Sequence, residues 1–334
     1  MIDNTMFIQA VSHIRALELN LLDEGKLNRM IESSTGDEAM KILAETVYGQ
    51  YISKLERTED YESMLGEELK KVYKEMYKVS PDRRIIDIMG VRYDYHNIKT
   101  LLKAKFLNKD LDAILIPIGV YSIEQLKNAL DNGDFYDIKG RIRTGIEESL
   151  SDYEKYSDPQ RVDMIMDRYM YIDMYEMSKE IGDSFIEKYV KMSIDATNIT
   201  TFFRIKKQKK EKVFLEFALL DNGYIDLDIY NEYYNDSAEN FASRIAHTDY
   251  YDLVREGVEE LSKSGKLSTL EMLRDNFIMN KMKDAKYVSF GSEPIIAYIF
   301  GKESELKAIR TIMVGKLNKI EPDLIKGRLR DIYV

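Results

Sequence analysis

A ten-residue motif occurs twice at a fixed spacing, and that spacing limits what the chain can fold into. Asp94-Tyr95-His96-Asn97-Ile98-Lys99-Thr100-Leu101-Leu102-Lys103 returns as Asp195-Ala196-Thr197-Asn198-Ile199-Thr200-Thr201-Phe202-Phe203-Arg204. Asp195 follows Asp94 by 101 residues, and Thr201 follows Thr100 by the same 101. A weaker third copy starts at Glu305 and keeps Ile309 and Thr311, with Ile312 and Met313 where the others have a paired apolar step. A second match has the same sense: Ala44, Thr46 and Tyr48 return as Ala246, Thr248 and Tyr250, 202 residues later. The middle of the chain holds only a degenerate counterpart of it, near 126–135. Three copies in 334 residues imply three similar units of roughly 100 residues each. Their boundaries fall near Leu115 and Tyr230, giving units 1–115, 116–230 and 231–334. Units of this size can build a small core, and repeats commonly rely on their neighbours for burial.

The periodicity says what the units are made of. Phe7, Val11, Ile14 and Leu17 or Leu21 step by three and four, as do Leu65, Leu69, Val72 and Met76. The stretch 162–181 repeats the pattern with Ile165, Tyr169, Ile172 and Met177. Such stripes predict amphipathic helices. Period-two alternation is absent. The best strand candidate, Ala113-Ile114-Leu115-Ile116-Pro117, contains a proline and has no partner run. The expected fold class is all-α. Ser80-Pro81-Asp82, Ser157-Asp158-Pro159 and Ser292-Glu293-Pro294 precede the three motif regions. Each places proline where a first helical turn tolerates it, and Asp82 is expected near the positive end of a helix dipole. Further breaks fall at Gly36-Asp37, Asn132-Gly133-Asp134 and Asn222-Gly223.

Charge and composition exclude whole classes. With 44% hydrophobic and 32% charged residues the chain is globular rather than disordered. A net charge of −10 argues against nucleic acid as a partner, because a phosphate backbone wants clustered Lys and Arg. There is no cysteine, so disulfide and thiolate chemistry are excluded and a reducing, cytoplasmic setting is expected. The N-terminus lacks a basic segment followed by an apolar run, and no apolar run reaches the roughly 20 residues of a membrane span. Direct bilayer insertion is therefore not expected.

Reaction chemistry finds no obvious carrier. His13, His96 and His247 lie on three separate segments, and none follows a Glu at the spacing of a di-iron bundle. His-Glu-x-x-His, the phosphate-binding Gly-x-x-x-x-Gly-Lys-Ser/Thr and Gly-x-Ser-x-Gly are all missing. An Asp-Asp-x-x-Asp metal cluster is missing as well. No catalytic residue, metal ligand, cofactor or nucleotide site is expected. Asp94 and Asn97, like Asp195 and Asn198, sit one helical turn apart beside an apolar pair. A polar site made twice is one reading. The plainer one is that these residues, with Glu305, bond neighbouring segments and set the register of a helical unit. The one strongly basic run, Arg204-Ile205-Lys206-Lys207-Gln208-Lys209-Lys210-Glu211-Lys212, reads first as a solvated helix end whose lysines suit the dipole. Arg204, Lys206, Lys207, Lys209 and Lys210 are also the candidate contact with an acidic protein partner. Twenty-four tyrosines and no tryptophan suit helix-helix and protein-protein interfaces, since the ring packs while the hydroxyl finds a polar partner.

Several segments together resemble one family. Tyr93-Asp94-Tyr95-His96-Asn97-Ile98-Lys99-Thr100-Leu101-Leu102-Lys103-Ala104-Lys105 is the most specific. Next is the C-terminal block: Phe290-Gly291-Ser292-Glu293-Pro294-Ile295-Ile296-Ala297-Tyr298, the stretch 303–316, and Arg328-Leu329-Arg330-Asp331-Ile332-Tyr333-Val334. Arg15-Ala16-Leu17-Glu18 and Leu43-Ala44-Glu45-Thr46-Val47-Tyr48 fit the same pattern. The chain is similar throughout to the C subunits of V/A-type (vacuolar/archaeal-type) rotary ATPases, whose eukaryotic relative is the d subunit. The resemblance implies three similar helical units arranged with pseudo-threefold symmetry as a funnel. It implies a non-catalytic component of the central stalk, lying between the rotor shaft and the membrane proteolipid ring. There it would link ATP hydrolysis or synthesis to proton or sodium translocation, held at the membrane by protein contacts alone. The competing expectation is an all-α, repeat-built protein-binding scaffold unrelated to rotary ATPases.

Overall fold

Local signals set the helix ends. Asp23, Thr35, Asp158, Asp183 and Ser237 each cap a helix N-terminus with a side-chain oxygen, which satisfies N–H groups that a helix leaves unpaired. Ser122 and Gln125 form a reciprocal capping box. Gly133, Gly182 and Gly265 end helices in the left-handed conformation that glycine enters without a Cβ penalty. Pro159 occupies the first turn of its helix, and Pro294 does likewise. Pro81 does not. The preceding helix ends at Val79 and the next begins at Arg84, leaving Pro81 in the linker. Asp82 still serves the new helix, accepting from the Arg84 backbone N–H at 3.0 Å.

The computed structural model describes residues 4–334, and among them every regular element is a helix. In chain order these are α1 (Ile8–Glu18), α2 (Glu24–Glu32), α3 (Gly36–Ala44), α4 (Gly49–Ile52) and α5 (Tyr61–Val79). The first motif lies on α6 (Arg84–Leu107). Next come α7 (Ile123–Asn132), α8 (Ile142–Tyr156) and α9 (Pro159–Ile181), then α10 (Ser184–Lys207) with the second motif. Shorter helices follow: α11 (Lys212–Ala218), α12 (Leu227–Glu232), α13 (Ala238–Arg244), and then α14 (Tyr251–Ser264) and α15 (Ser268–Lys283). The chain closes with α16 (Glu293–Leu317), carrying the third motif, and α17 (Pro322–Lys326). Thus each motif helix follows a long helix: α5 precedes α6, α9 precedes α10, and α15 precedes α16. The protein is all-α. The 113–117 segment is no strand; a single 3-10 turn covers Asp112–Ile114.

Tertiary contacts divide the described chain into two units, with the boundaries inside α6 and α15. One unit, Asp87–Arg274, packs α8 on α9 and α9 on α10, with α13 against α14. An aromatic knot of Phe202, Phe203, Tyr230 and Phe241 fixes the arm after α10, with Phe202 and Phe241 stacked at 4.4 Å. The other unit joins 4–86 to 275–334. Here α16 is the central helix, touching α1, α2, α3 and α5. Leu27, Met30, Ile31, Leu43, Met64, Ile309, Ile312 and Met313 form its core. Because α16 is surrounded, most of its circumference is buried, the charged Lys302, Glu303, Glu305 and Lys316 included, and its apolar residues do not fall on a single stripe.

Candidate functional site

The Asp and Asn of the first motif project from α6 onto the segment that follows it. Asp94 is fully buried, and its two carboxylate oxygens accept from the backbone N–H groups of Val120 and Tyr121 at 2.9 and 3.1 Å. One turn on, the Asn97 amide donates to Ile116 O and accepts from Ile116 N, both at 2.8 Å. The second motif does the same from α10. Asp195 accepts from Tyr224 N and Ile225 N at 2.8 and 3.1 Å, and Asn198 makes the reciprocal pair with Leu220 at 2.8 Å. The clamped loops are offset by 104 residues (Ile116 to Leu220, Val120 to Tyr224), the helices by 101. Three extra residues between helix and loop leave the bonding pattern intact. Glycine is required where each loop crosses its carboxylate. A Cβ on Gly119 would lie 2.0 Å from Asp94 Oδ1, and one on Gly223 would lie 2.1 Å from Asp195 Oδ1.

The two clamps differ in their electrostatics. Burial pushes the Asp94 carboxyl up to about 7, with the two backbone donors holding it back and Asp87 adding to the rise. Burial raises Asp195 as well, but a third donor, the Tyr250 hydroxyl at 2.8 Å, and the Lys191 ammonium counter it. Tyr250 comes from the second repeated sequence. There Thr248 Oγ1 donates to Ile245 O and accepts from Tyr250 N, a turn that Thr46 repeats with Leu43 O and Tyr48 N.

The third motif uses Glu305, on α16. Its carboxylate accepts from Leu22 N at 2.6 Å and from the Tyr48 hydroxyl at 2.5 Å. Leu22 stands 202 residues before Tyr224, and Tyr48 stands 202 before Tyr250. The donor pair is therefore the equivalent one, taken from the beginning of the chain. Ala308 occupies the place of the asparagines. A buried cation is added: Lys302 Nζ lies 2.7 Å from Glu305 and 3.2 Å from Glu68, with the Tyr48 ring 4.9 Å away. Val91 and Met192 hold the corresponding helix positions in the other copies.

Equivalent faces of α6 and α10 also meet at a cleft of about 610 Å³ within the Asp87–Arg274 unit. His96, Thr100 and Lys103 line it from one motif; Thr197, Thr201 and Arg204, each 101 residues later, line it from the other. Ion pairs cross its wall between α6 and α9, Lys99 to Asp167 and Lys103 to Asp163, both at 2.6 Å. Arg204 pairs with Glu271 at 2.7 Å. The basic run is thus split in its engagements. Lys206 is turned onto the protein, donating to the carbonyls of Tyr234 and Asp236, and burial lowers its ammonium. Lys207, Lys209 and Lys210 are exposed, with Lys210 over the Phe214 ring. His13 pairs with Glu75 at 3.0 Å, and His96 Nε2 lies 3.2 Å from Ile114 O. Among the described residues no three His, Asp or Glu side chains are placed to share a metal ion.

Comparison with known proteins gives the same frame. The model of the ATP synthase (C/AC39) subunit family matches residues 10–328. The chain belongs to this family. It is 28% identical over 320 residues to the C subunit of the V-type sodium ATPase of Enterococcus hirae, covering 96% of this chain and 97% of that protein. It is 27% identical over 354 residues to the C subunit of the A-type ATP synthase of Methanocaldococcus jannaschii, covering 98% and 87%. A third relative, the A-type ATP synthase C subunit of Desulfurococcus sp., is 24% identical over 332 residues, covering 94% and 88%.

Within this family member, the sequence motif marks the acceptors and not their partners. Asp94, Asn97, Asp195, Asn198 and Glu305 are visible through repetition. Gly119, Leu22, Lys302 and Glu68 are not, although the 202-residue offset of Thr46-x-Tyr48 points at the arm that Glu305 holds.

Three outcomes are expected. Gly119→Ala or Gly223→Ala should each lower stability by about 1–3 kcal/mol, because the new Cβ displaces a hydrogen-bonded carboxylate; thermal melts will read it. The fold holds the Asp94 proton more tightly than the unfolded chain does. Its contribution is therefore greatest below the ordinary carboxyl value and is lost as pH rises through about 7, a fall on the order of 4 kcal/mol. Asp94→Asn should flatten the decline of melting temperature between about pH 4 and 7. Lys302→Met, which copies Met192, leaves Glu305 and Glu68 buried against each other and should cost about 3–5 kcal/mol.

Proposed function

We propose that the chain is a non-catalytic component of the central stalk of a V/A-type ATPase or ATP synthase. It joins the rotor shaft to the membrane proteolipid ring, so that rotation links ATP hydrolysis or synthesis to proton or sodium translocation. The observation that carries this reading is similarity over nearly the whole chain to relatives named as the C subunits of such enzymes. The clamps support a mechanical role. Asp94, Asp195 and Glu305 direct their oxygens to backbone N–H groups, tyrosine hydroxyls and Lys302, which makes them fasteners of helix to loop. A part that passes torque needs such internal stiffness more than it needs a reactive group. No helix among the described residues is long and apolar enough to cross a membrane, so attachment to the ring rests on protein contacts. Three repeat units, 1–115, 116–230 and 231–334, would present similar surfaces to a ring made of identical subunits, in the funnel that the resemblance implies.

The test is reconstitution. An enzyme complex assembled without this chain should lose ATP-driven ion transport, and adding the purified chain back should restore it. Transport that persists in its absence would reject the proposal. The exposed lysines beside the cleft are proposed as an electrostatic contact within the stalk. Replacing Lys207, Lys209 and Lys210 by Ser should weaken assembly severalfold at low salt and flatten its salt dependence. Unchanged binding would return these residues to a solvated helix end.

A further inference from the structure

The middle copy departs from the repeat at its surface. In the other two copies a second short helix follows the first and packs inward. There α3 follows α2 and buries Ala39, Met40 and Leu43, and α13 follows α12 and buries Phe241 and Ala242. After α7 no such helix forms. Gly133 ends α7 in the left-handed conformation, and residues 134–141 run as an irregular loop up to α8. Irregular loops are commonly the mobile parts of a surface, yet this one is fastened by groups from the interior. Asp173 of α9, itself buried, accepts from the Arg141 backbone N–H at 2.9 Å and from the Tyr95 hydroxyl of α6 at 2.7 Å. Gly140, at a φ of 76°, passes so close to that carboxylate that a Cβ there would collide with it. The Lys139 N–H donates to the Tyr121 hydroxyl at 2.8 Å, which ties the loop to the one clamped by Asp94. Within the loop, Ile138 N donates to Phe135 O and Tyr136 N to the Asp134 carboxylate, and the Arg143 guanidinium lies 5.6 Å from the Phe135 ring.

These ties fix a loop that faces outward. Tyr136, at its tip, is 93% exposed, more than any other large apolar or aromatic side chain among the described residues. Asp131, Asp134 and Asp137 flank it in sequence and are exposed, and among the described residues none of the three is in an ion pair. Arg141 and Arg143 are engaged by Glu176 and Glu147, and Lys139 offsets one of the three charges. We propose that loop 134–141 is a recognition element. It inserts Tyr136 into an apolar slot on a partner protein whose rim carries lysine or arginine opposite Asp131, Asp134 and Asp137. Three arguments converge. A phenol ring held out on a fixed backbone loses little freedom on binding, which is why tyrosine recurs as an anchor of protein interfaces. The carboxylates set the sign of the partner, repelling a nucleic-acid backbone and anionic lipid and attracting a basic protein rim. The bonds from Asp173 and Tyr121 hold residues 134–141, none of which is buried, so they shape the surface and not the core. The loop argument stands whether or not the partner belongs to a rotary enzyme.

Two experiments decide it. In living cells that produce this chain, the full protein carries a photoreactive benzoylphenylalanine at position 136 or, as a control, in place of Tyr156, which is 60% exposed on α8. Illumination should join position 136 to one protein, at a peptide with lysine or arginine beside apolar residues. Position 156 should give no adduct with that protein. The second experiment uses the ATPase complex assembled without this chain as the probe, a choice that rests on the stalk reading. Tyr136→Ala should weaken binding of the chain at least about tenfold, and Tyr136→Phe no more than about threefold. Asp134→Lys with Asp137→Lys should flatten the salt dependence. Tyr121→Phe removes the acceptor of the Lys139 N–H without touching the tip, and should weaken binding about threefold through a looser loop. Wild-type chain that fails to bind the complex would reject the stalk reading and leave the adduct at 136 to decide the loop. The inference is overturned by the absence of a protein adduct at 136, by an adduct with lipid or nucleic acid, by an equal adduct from 156, or by full binding of Tyr136→Ala.

Discussion

A carboxylate buried on a helix and directed at backbone N–H groups is the interaction on which the rest of this structure depends. Such a group is costly to bury unless donors meet it. In this fold the donors belong to loops that would otherwise have unpaired amides inside the protein. Each solves the other's problem. Asp94 satisfies Val120 and Tyr121, and Asp195 satisfies Tyr224 and Ile225. Once the bonds form, the position of the loop on its helix is set, and with it the direction in which the next helix departs. Slipping the loop by one residue would remove both bonds and drive a Cβ into the carboxylate. The glycines at 119 and 223 thus act as register marks.

How the motif tolerates variation follows from what it bonds. Backbone N–H groups carry no side-chain identity, so the clamped loops Ile116–Tyr121 and Leu220–Ile225 share little beyond one glycine. The acceptors must be Asp, Asn or Glu, and they recur in sequence. This is why the repeat is legible at Asp94, Asn97, Asp195 and Asn198, and why its partners are not. Helical periodicity and the capping residues make the fold class readable, for they act within a few residues. Leu22 and Tyr48 are unreadable as partners of Glu305 because the contact spans more than 250 residues. Lys302 is hidden for another reason. It stands at a position that is Val91 or Met192 in the other copies, and nothing local distinguishes a surface lysine from a buried one. The basic run departs from a fully solvated helix end for the same cause: Lys206 lies on the inward side and bonds carbonyls.

The third copy shows how a repeat adapts when the pattern cannot continue. Its asparagine is gone, replaced by Ala308, and its aspartate has become Glu305. The longer side chain reaches an arm from elsewhere in the sequence, and Lys302 with Glu68 supplies a buried ionic group that the other copies lack. Buried ion pairs contribute little net stability but penalise wrong partners heavily. For two segments that must find each other across the chain, that selectivity is useful.

Tyrosine repeatedly closes these sites. Its hydroxyl donates to a carboxylate in Tyr48–Glu305, Tyr51–Glu68, Tyr73–Glu303, Tyr95–Asp173, Tyr169–Glu148, Tyr250–Asp195 and Tyr333–Glu18. Each phenol is a neutral donor on a rigid ring with two side-chain torsions, so it brings no second charge to desolvate and loses little freedom on packing. A bond of this type is not weakened by dissolved ions, which cannot compete for a hydroxyl inside the protein as they do for an exposed ammonium. Where such pairs are buried, the distances between helices are maintained by contacts that do not register the salt outside, and changes in ionic strength act on the surface of the molecule while its internal dimensions stay constant.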